Sequence, residues 1–403
     1  MVPRTEAPGA IPINLYAELT GLAAHHAITL VTIAGPDAQE WEAAGRLREL
    51  GVQVHAIRRV EPRGWARWER RWRFASTWLR GAYPFRTIWF WEAAAQLTID
   101  RLLRENAYDV VIAEDNATGV YRFQTRAPKV LTEHEVRRPR PVNWRGLARE
   151  RSLRAALREA DWQRWRKYQL SVWGRFDRIQ VYSPRDAAAV KNMAPHLASR
   201  VRVNPFGVKL PDDTDPLREE DNHLVFMGNM THPPNVDAAL WLGTEIMPLL
   251  RKQIPNACLS IVGGDPPECV RALAGDGILV TGFVPAIKPY FERAAVVMAP
   301  VRTGGGQRMK VLQGMAYGKA VVATPRGVDG LDIQGGPPPV VVADDAAGLA
   351  RATADLLRSP GARRELGDHA RAFVQEHYSP AAYARRWEVI FAELRTHPGD
   401  QPG

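Results

Sequence analysis

The sequence predicts an α/β protein made of two doubly wound domains, each a parallel sheet wrapped by helices. Three observations lead there. Short apolar, strand-like runs alternate with helical segments along the chain. The 403 residues exceed one ordinary core and fit about two domains. The alternation breaks at "NPFGVKLPDDTDPLREED" (204–221), where proline, glycine and acidic residues interrupt all periodicity.

In the first half the strand-like runs are "AITLVTIA" (27–34), "VQVHAI" (52–57), "DVVIAE" (109–114), "KVLTEH" (129–134) and "RIQVYS" (178–183). A doubly wound domain should open with a buried strand, yet only "MV" precedes the loop and helix of "PRTEAPGAIPINLYAEL". Either that strand is a remnant or the true start lies upstream, and we favour the second. The second half supplies "HLVFMG" (223–228), "CLSIVGG" (258–264), "GILVTG" (277–282), "AVVMAP" (295–300), "AVVAT" (320–324) and "PVVVA" (339–343). Then "SPAAYARRWEVIFAELR" (379–395) has the apolar spacing of an amphipathic helix, ahead of a tail expected to be disordered. The expected domains are 1–207 and 208–378, with 379–403 crossing back to the first. The ligand of such a pair is expected in the cleft at the strand carboxyl ends.

Composition excludes several classes. With 45% hydrophobic and 24% charged residues the chain is neither disordered nor fibrous. No apolar run approaches the roughly 18 residues of a membrane span, and the N-terminus has no apolar signal core. We expect a cytoplasmic protein. Cys258 and Cys269 lack metal-ligand spacing and read as reduced thiols in or near a core. Charge is uneven: residues 1–210 carry a net +14 and residues 211–403 a net −4, so the two halves should meet different partners.

The most informative stretch is "APVRTGGGQRMKVLQGMAYGKAVVAT" (299–324), a strand, three glycines and a helix start. Free backbone N–H groups converge at such a turn and the helix dipole adds positive charge, so an anion fits there. Glycines let the ligand approach the backbone. Spacing puts Gln307, Lys310, Gly314 and Tyr317 on one polar face and turns Met309, Leu312, Met315 and Ala316 to the sheet. Lys310 is placed to meet a phosphate. Glycine turns also close tight corners, so the structural reading stays open. The turn is neither a Walker loop, which needs Lys-Ser or Lys-Thr after the last glycine, nor a dinucleotide fingerprint.

Over residues 224–331 the order and spacing of "LVFMGNMTHPPNVDAALWLGTEIMPLL", "LSIVGGDPP" and "VTGFVPAIKPYFERAAVVMAPVRTGGGQRMKVLQGMAYGKAVVATPRGVDGL" resemble the donor domain of GT-B glycosyltransferases of family 4. The first half resembles the acceptor domain at "PGAIPINLYAEL", "LTEHEV" and "NPFGV". The resemblance implies GT-B architecture, two Rossmann-like domains facing a central cleft, and a retaining sugar transfer from a nucleotide diphosphate donor. It implies that Gly228, Asn229 and Met230 and the turn Gly304, Gly305 and Gly306, with Gln307, approach the diphosphate. By the same resemblance Thr281, Gly282, Phe283 and Val284 hold the nucleobase, His134 sits beside the transferred sugar, and Gly9, Ala10 and Ile11 form a loop over the donor. Asp115 and Glu135, at strand ends, are candidates to orient an acceptor hydroxyl. For His134, a hydrogen-bonded structural role stays the alternative.

This chain departs from the pattern in two places. The family motif places two glutamates eight apart, toward the sugar and on the ribose; here stand Gly305 and Gln313. Gln313 can still accept one hydrogen bond and donate another, without the charge. Many members carry Arg and Lys after the first strand of the donor domain, and "GNMTHPPN" has neither. Arg308 and Lys310 are then the expected cations. Retaining transfer needs stabilisation of the leaving diphosphate more than a protein nucleophile, so no glycosidase-type carboxylate pair is required. No metal or other cofactor is expected. The expected acceptor is a lipid-linked molecule or polysaccharide of cell-envelope or exopolysaccharide synthesis. The alternatives are a catalytically silent nucleotide-sugar-binding protein and a nucleotide-sugar epimerase of the same architecture.

Residues 58–91 hold nine arginines, two glutamates and six of the thirteen tryptophans. Trp65, Trp68 and Trp72 recur at helical spacing among Arg63, Arg67, Arg70, Arg71 and Arg73, and 137–169 repeats the flavour. Two readings compete: a tryptophan stripe packed in the core beneath a solvated arginine face, which carries slightly more weight, or peripheral contact with anionic membrane at its inner face. Nucleic acid is not expected, since no recognised module accompanies the basic segments.

Overall fold

The computed structural model describes residues 2–4, 10–59, 64–80, 83–134, 136–137, 153–213, 215–304, 308–331 and 336–396. Contacts divide the chain into two units, Met1–Asn204 with Ala384–Gly403, and Pro205–Tyr383.

In the first unit the strands are β1 (Thr29–Ala34), β2 (Gln53–Arg58), β3 (Val111–Glu114), β4 (Lys129–Glu133), β5 (Arg178–Val181) and β6 (Val201–Val203). All pair in parallel, but in two sheets, β1-β2 and β3-β4-β5-β6, where the alternation had suggested one. After α1 (Ala10–Ala23) and α2 (Ala38–Glu49), the described chain between β2 and β3 runs through three helices, α3 (Trp65–Leu79), α4 (Phe85–Phe90) and α5 (Ala93–Glu105), and supplies no bridging strand. Each sheet therefore has its own core. Val2, Ala34, Ala43, Leu47 and Val54 close one; Leu131, Trp173, Ile179 and Val190 close the other.

The core reading of the tryptophan stripe is corrected here. Trp65, Trp68 and Trp72 are 82%, 60% and 71% exposed. The inward face of α3 is filled instead by Phe74 and the buried Trp78, both stacked on Phe85 at 5.3 and 4.7 Å. Trp78 Nε1 donates to Asp161 Oδ1 at 3.0 Å, which satisfies its polar edge. Residues of the C-terminal helix from Ala384 on also pack in this unit: Glu393 accepts from Arg202 at 2.8 Å, and Arg386 Nε donates to Asn204 Oδ1 at 2.9 Å.

The second unit is one parallel sheet of β7 (Glu220–Met227), β8 (Cys258–Val262), β9 (Ile278–Val280), β10 (Ala294–Ala299), β11 (Ala320–Ala323) and β12 (Val341–Val342). Its spatial order, β12-β11-β10-β7-β8-β9, is the doubly wound order, and it reverses between β7 and β10. A parallel sheet covered on both faces requires near-continuous apolar strands, and all six residues of β10 are buried. The helix after the glycine turn, Met309–Ala316, is buried more fully than its spacing suggested. Val311, Leu312, Met315 and Ala316 face the core, and Tyr317 stacks on Phe291 at 4.7 Å. Gly314 is also buried, because a Cβ there would lie 3.0 Å from Val297: glycine is what lets this helix seat on β10. Cys258 is partly buried, whereas Cys269 is exposed, because Val270 rather than Cys269 fills the core side of its short helix. No described helix is long and apolar enough to cross a membrane.

Candidate functional site

The strand order reverses between β7 and β10, the place where a doubly wound sheet binds its ligand, and the loops beyond the strand ends are tied by backbone hydrogen bonds. Gly228 N–H donates to Val262 O at 3.0 Å, Met230 N–H to Gly264 O at 3.0 Å, and Gly263 N–H to Gly282 O at 3.2 Å. The loops after β7, β8 and β9 are thus one surface. Gly263 is obligatory in it, since a Cβ would overlap the Gly228 carbonyl oxygen.

Asn235, in the helix Pro233–Trp241, joins this surface to the glycine turn. Its Nδ2 donates to Asn229 O at 2.7 Å, and its Oδ1 accepts from Lys310 Nζ at 2.9 Å. Gly228 has no Cβ for the same reason: one would lie 2.7 Å from the Asn235 amide carbon. Gly304 takes φ +96° with Pro234 3.1 Å from where its Cβ would be, and Arg308 Nη2 donates to its carbonyl at 3.3 Å. The structure therefore gathers Gly228, Asn229, Met230, Gly304, Arg308 and Lys310. Gly305, Gly306 and Gln307 lie outside the described residues.

Lys310 sets the electrostatics. Burial, and secondarily the neighbouring Arg308 charge, pull its ammonium down to about 8. Phe226 presents its ring 5.7 Å from Nζ, and no carboxylate pairs with Lys310 among the described residues. One turn on, Gln313 holds a buried Oε1 without a hydrogen-bond partner among the described residues. At the β9 end Gly282 has φ +71° and Phe283 is 79% exposed. Sequence reasoning missed Asn235, whose signal was the "PPN" that opens a helix right after the Gly228 loop.

In the first unit β3 and β4 end side by side, which brings Glu114 and Asp115 next to Glu133 and His134. His134, with a side chain only 6% exposed, shares a hydrogen bond with Glu114 Oε2 through Nε2 at 3.0 Å, and Tyr182 meets its ring edge-on at 5.3 Å. Thr132 Oγ1 donates to Glu114 Oε1 at 2.9 Å. Asp115 takes φ 70°, caps Ala117 N at 2.8 Å and accepts from Arg86. The buried Glu133 accepts from Asn116 Nδ2 at 2.5 Å and Trp173 Nε1 at 2.7 Å, and burial pushes its carboxyl up to about 8. Glu114 and Glu133 were not foreseen as partners; strand pairing, which no local pattern reveals, is what places Glu114 on His134. Glu135 and Gly9 lie outside the described residues, and Ala10 and Ile11 begin the helix Ala10–Ala23. Among the described residues no three His, Cys, Asp or Glu gather as a metal-binding group.

Residues 221–359 match the family model described as glycosyl transferases group 1. An uncharacterized 44.6 kDa protein of the cps region of Klebsiella pneumoniae is 25% identical over 167 residues, 39% of this chain and 42% of that protein. An uncharacterized glycosyltransferase of Methanocaldococcus jannaschii is 28% identical over 184 residues, 42% of this chain and 45% of that protein. The matches thus span under half the length of these relatives. Among solved structures, Anabaena HepE in complex with UDP and glucose superposes with TM-score 0.62 at 14% identity, covering 96% of this chain and 97% of that one. WaaG, a glycosyltransferase involved in lipopolysaccharide biosynthesis, superposes with TM-score 0.58 at 14% identity, covering 96% and 97%. With the doubly wound sheet and its glycine-rich loops already in place, these likenesses identify a chain of GT-B fold whose residues 221–359 resemble the glycosyl transferases group 1 family.

Proposed function

We propose that the protein is a retaining glycosyltransferase of family 4. In this reading it moves a sugar, in the cytoplasm and without a metal, from a nucleoside diphosphate donor to a lipid-linked or polysaccharide acceptor in envelope or exopolysaccharide synthesis. The observation that carries the reading is Lys310: a partly buried ammonium, depressed to about 8, held by one amide oxygen at the switch point of the sheet. A buried cation without a carboxylate partner costs free energy, and an anionic ligand removes that cost. Two phosphates arriving against Lys310, Arg308 and the glycine turn would do so.

In this mechanism the bond from the sugar's anomeric carbon to the diphosphate oxygen breaks while the acceptor hydroxyl attacks the same face. Negative charge grows on the leaving phosphate, where Lys310, Arg308 and the N–H groups of the turn stabilise it. The acceptor's proton passes to a leaving phosphate oxygen. The open Oε1 of Gln313 suits a ribose hydroxyl donor. Gly282, Phe283 and Val284 suit the base, with Phe283 exposed for stacking. His134, held by Glu114, is assigned to the transferred sugar, and Asp115 to the acceptor. HepE, which has a similar fold, was crystallised with UDP and with UDP-glucose, and this supports a nucleotide-sugar donor here.

Calorimetric titration with UDP, GDP and ADP tests the proposal. Saturable binding of one of them, lost in Lys310→Met, is expected, followed by transfer from the matching nucleotide sugar. Binding without transfer to any acceptor would favour a silent binding protein, and no binding by folded protein would overturn the donor site.

A further inference from the structure

We propose that the outward face of α3 docks the protein onto an anionic membrane surface, a property separate from the transfer reaction. Trp65, Trp68, Trp72 and Leu79 stand at i, i+3, i+7 and i+14 and are 82%, 60%, 71% and 69% exposed. That spacing puts them in one stripe, about 21 Å long at the rise of an α-helix. The stripe is not a displaced core face, because Phe74 and Trp78 already fill the inward side against Phe85.

Two features name the occupant. The stripe is built mainly of tryptophan, whose amphipathic ring settles at headgroup depth. The segment 58–91 that carries it has nine arginines against two glutamates, within a half of net charge +14. A second copy would present the same positive charge and be repelled; an anionic lipid surface attracts it. In the same segment, half-exposed Trp89 has the Arg59 guanidinium 5.3 Å from its ring, so a cation and an indole already meet within it. Since no described helix can span a bilayer, the helix lies on the surface rather than crossing it.

Flotation of the full chain with phosphatidylcholine vesicles, with or without about 30% phosphatidylglycerol, tests this. The wild type is expected to float only with anionic lipid and to detach as salt is raised. Replacing Trp65, Trp68 and Trp72 together by Ser should lower partitioning at least about 30-fold. Far-UV circular dichroism checks its fold, and quenching of wild-type tryptophan fluorescence by brominated anionic lipid gives a readout that needs no variant. Failure to float, flotation equal on neutral vesicles, or flotation unchanged in the triple variant would overturn the proposal. So would a dimer in sedimentation equilibrium that the triple variant abolishes in the absence of any flotation, which would assign the stripe to a second copy.

Discussion

Lys310→Met should stabilise the unliganded protein while abolishing donor binding. The ammonium sits at about 8 in the fold against an ordinary 10.5, so carrying its charge at pH 7 costs about 3 kcal/mol. The sign follows from proton counting. Between about pH 8 and 10.5 the unfolded chain binds more protons at this group than the folded one, so wild-type stability rises with pH there, and below about 8 the full penalty remains. Methionine removes the penalty, keeps most of the volume, and forfeits the hydrogen bond to Asn235 Oδ1, a loss of about 1 to 2 kcal/mol. The net expectation at pH 7 is a gain of about 1 to 2 kcal/mol, shrinking to a loss near pH 10.5. Hydrogen exchange of β7 and β10 peptides measures it without contribution from the first unit. A variant that is destabilised at pH 7 and keeps its UDP affinity would refute the reasoning, since Lys310 would then be serving the fold rather than the ligand.

Binding of a nucleoside diphosphate should draw a proton onto Lys310 above about pH 8, so affinity falls as pH rises through that value, and titrations in buffers of different ionisation enthalpy will show the uptake. Gln313→Ala should weaken nucleotide binding about tenfold at unchanged melting temperature, while Gln313→Glu restores a charged acceptor for the ribose and tightens it; calorimetry checks both. Glu133→Gln should be near neutral at pH 5 and stabilising by about 2 to 4 kcal/mol at pH 8, because the carboxyl raised to about 8 loses its favourable protonation as pH climbs from 4.5 to 8; denaturation at both pH values measures it. Gly263→Ala should cost at least about 3 kcal/mol, since its Cβ would displace the Gly228 carbonyl and open the loop surface, which a thermal melt will report.

The second unit was legible because its physics is local. Buried parallel strands must be apolar almost throughout, and runs such as "AVVMAP" and "AVVAT" have no other use. The glycine turn was legible for a related reason, since Gly304 needs a positive φ and space beside Pro234 that other residues lack. What stayed hidden depends on pairing between distant segments. Asn235 becomes the hinge of the site only when its helix lies beside the Lys310 helix, and Glu114 meets His134 only because β3 pairs with β4. The tryptophans of α3 misled because helical spacing shows that residues share a face without showing which face turns inward. Phe74 and Trp78 took the core side.

Two departures from the motif that the chain resembles make physical sense together. Where that motif puts glutamates, this chain has Gly305 and Gln313, and where it puts Arg and Lys after the first strand, this chain has none. Losing two carboxylates beside a diphosphate removes repulsion as well as ribose contacts, so fewer cations are needed to hold the same anion. The cations that remain, Arg308 and Lys310, stand at the start of the helix that follows the glycine turn, and Lys310 is tied through Asn235 to the Gly228 loop that would otherwise have carried them. A site built this way has its positive charge concentrated on one element and partly desolvated. Its affinity for diphosphate should then fall less with added salt than that of a site whose cations stand exposed in solvent, because a buried pair is screened less than a surface one.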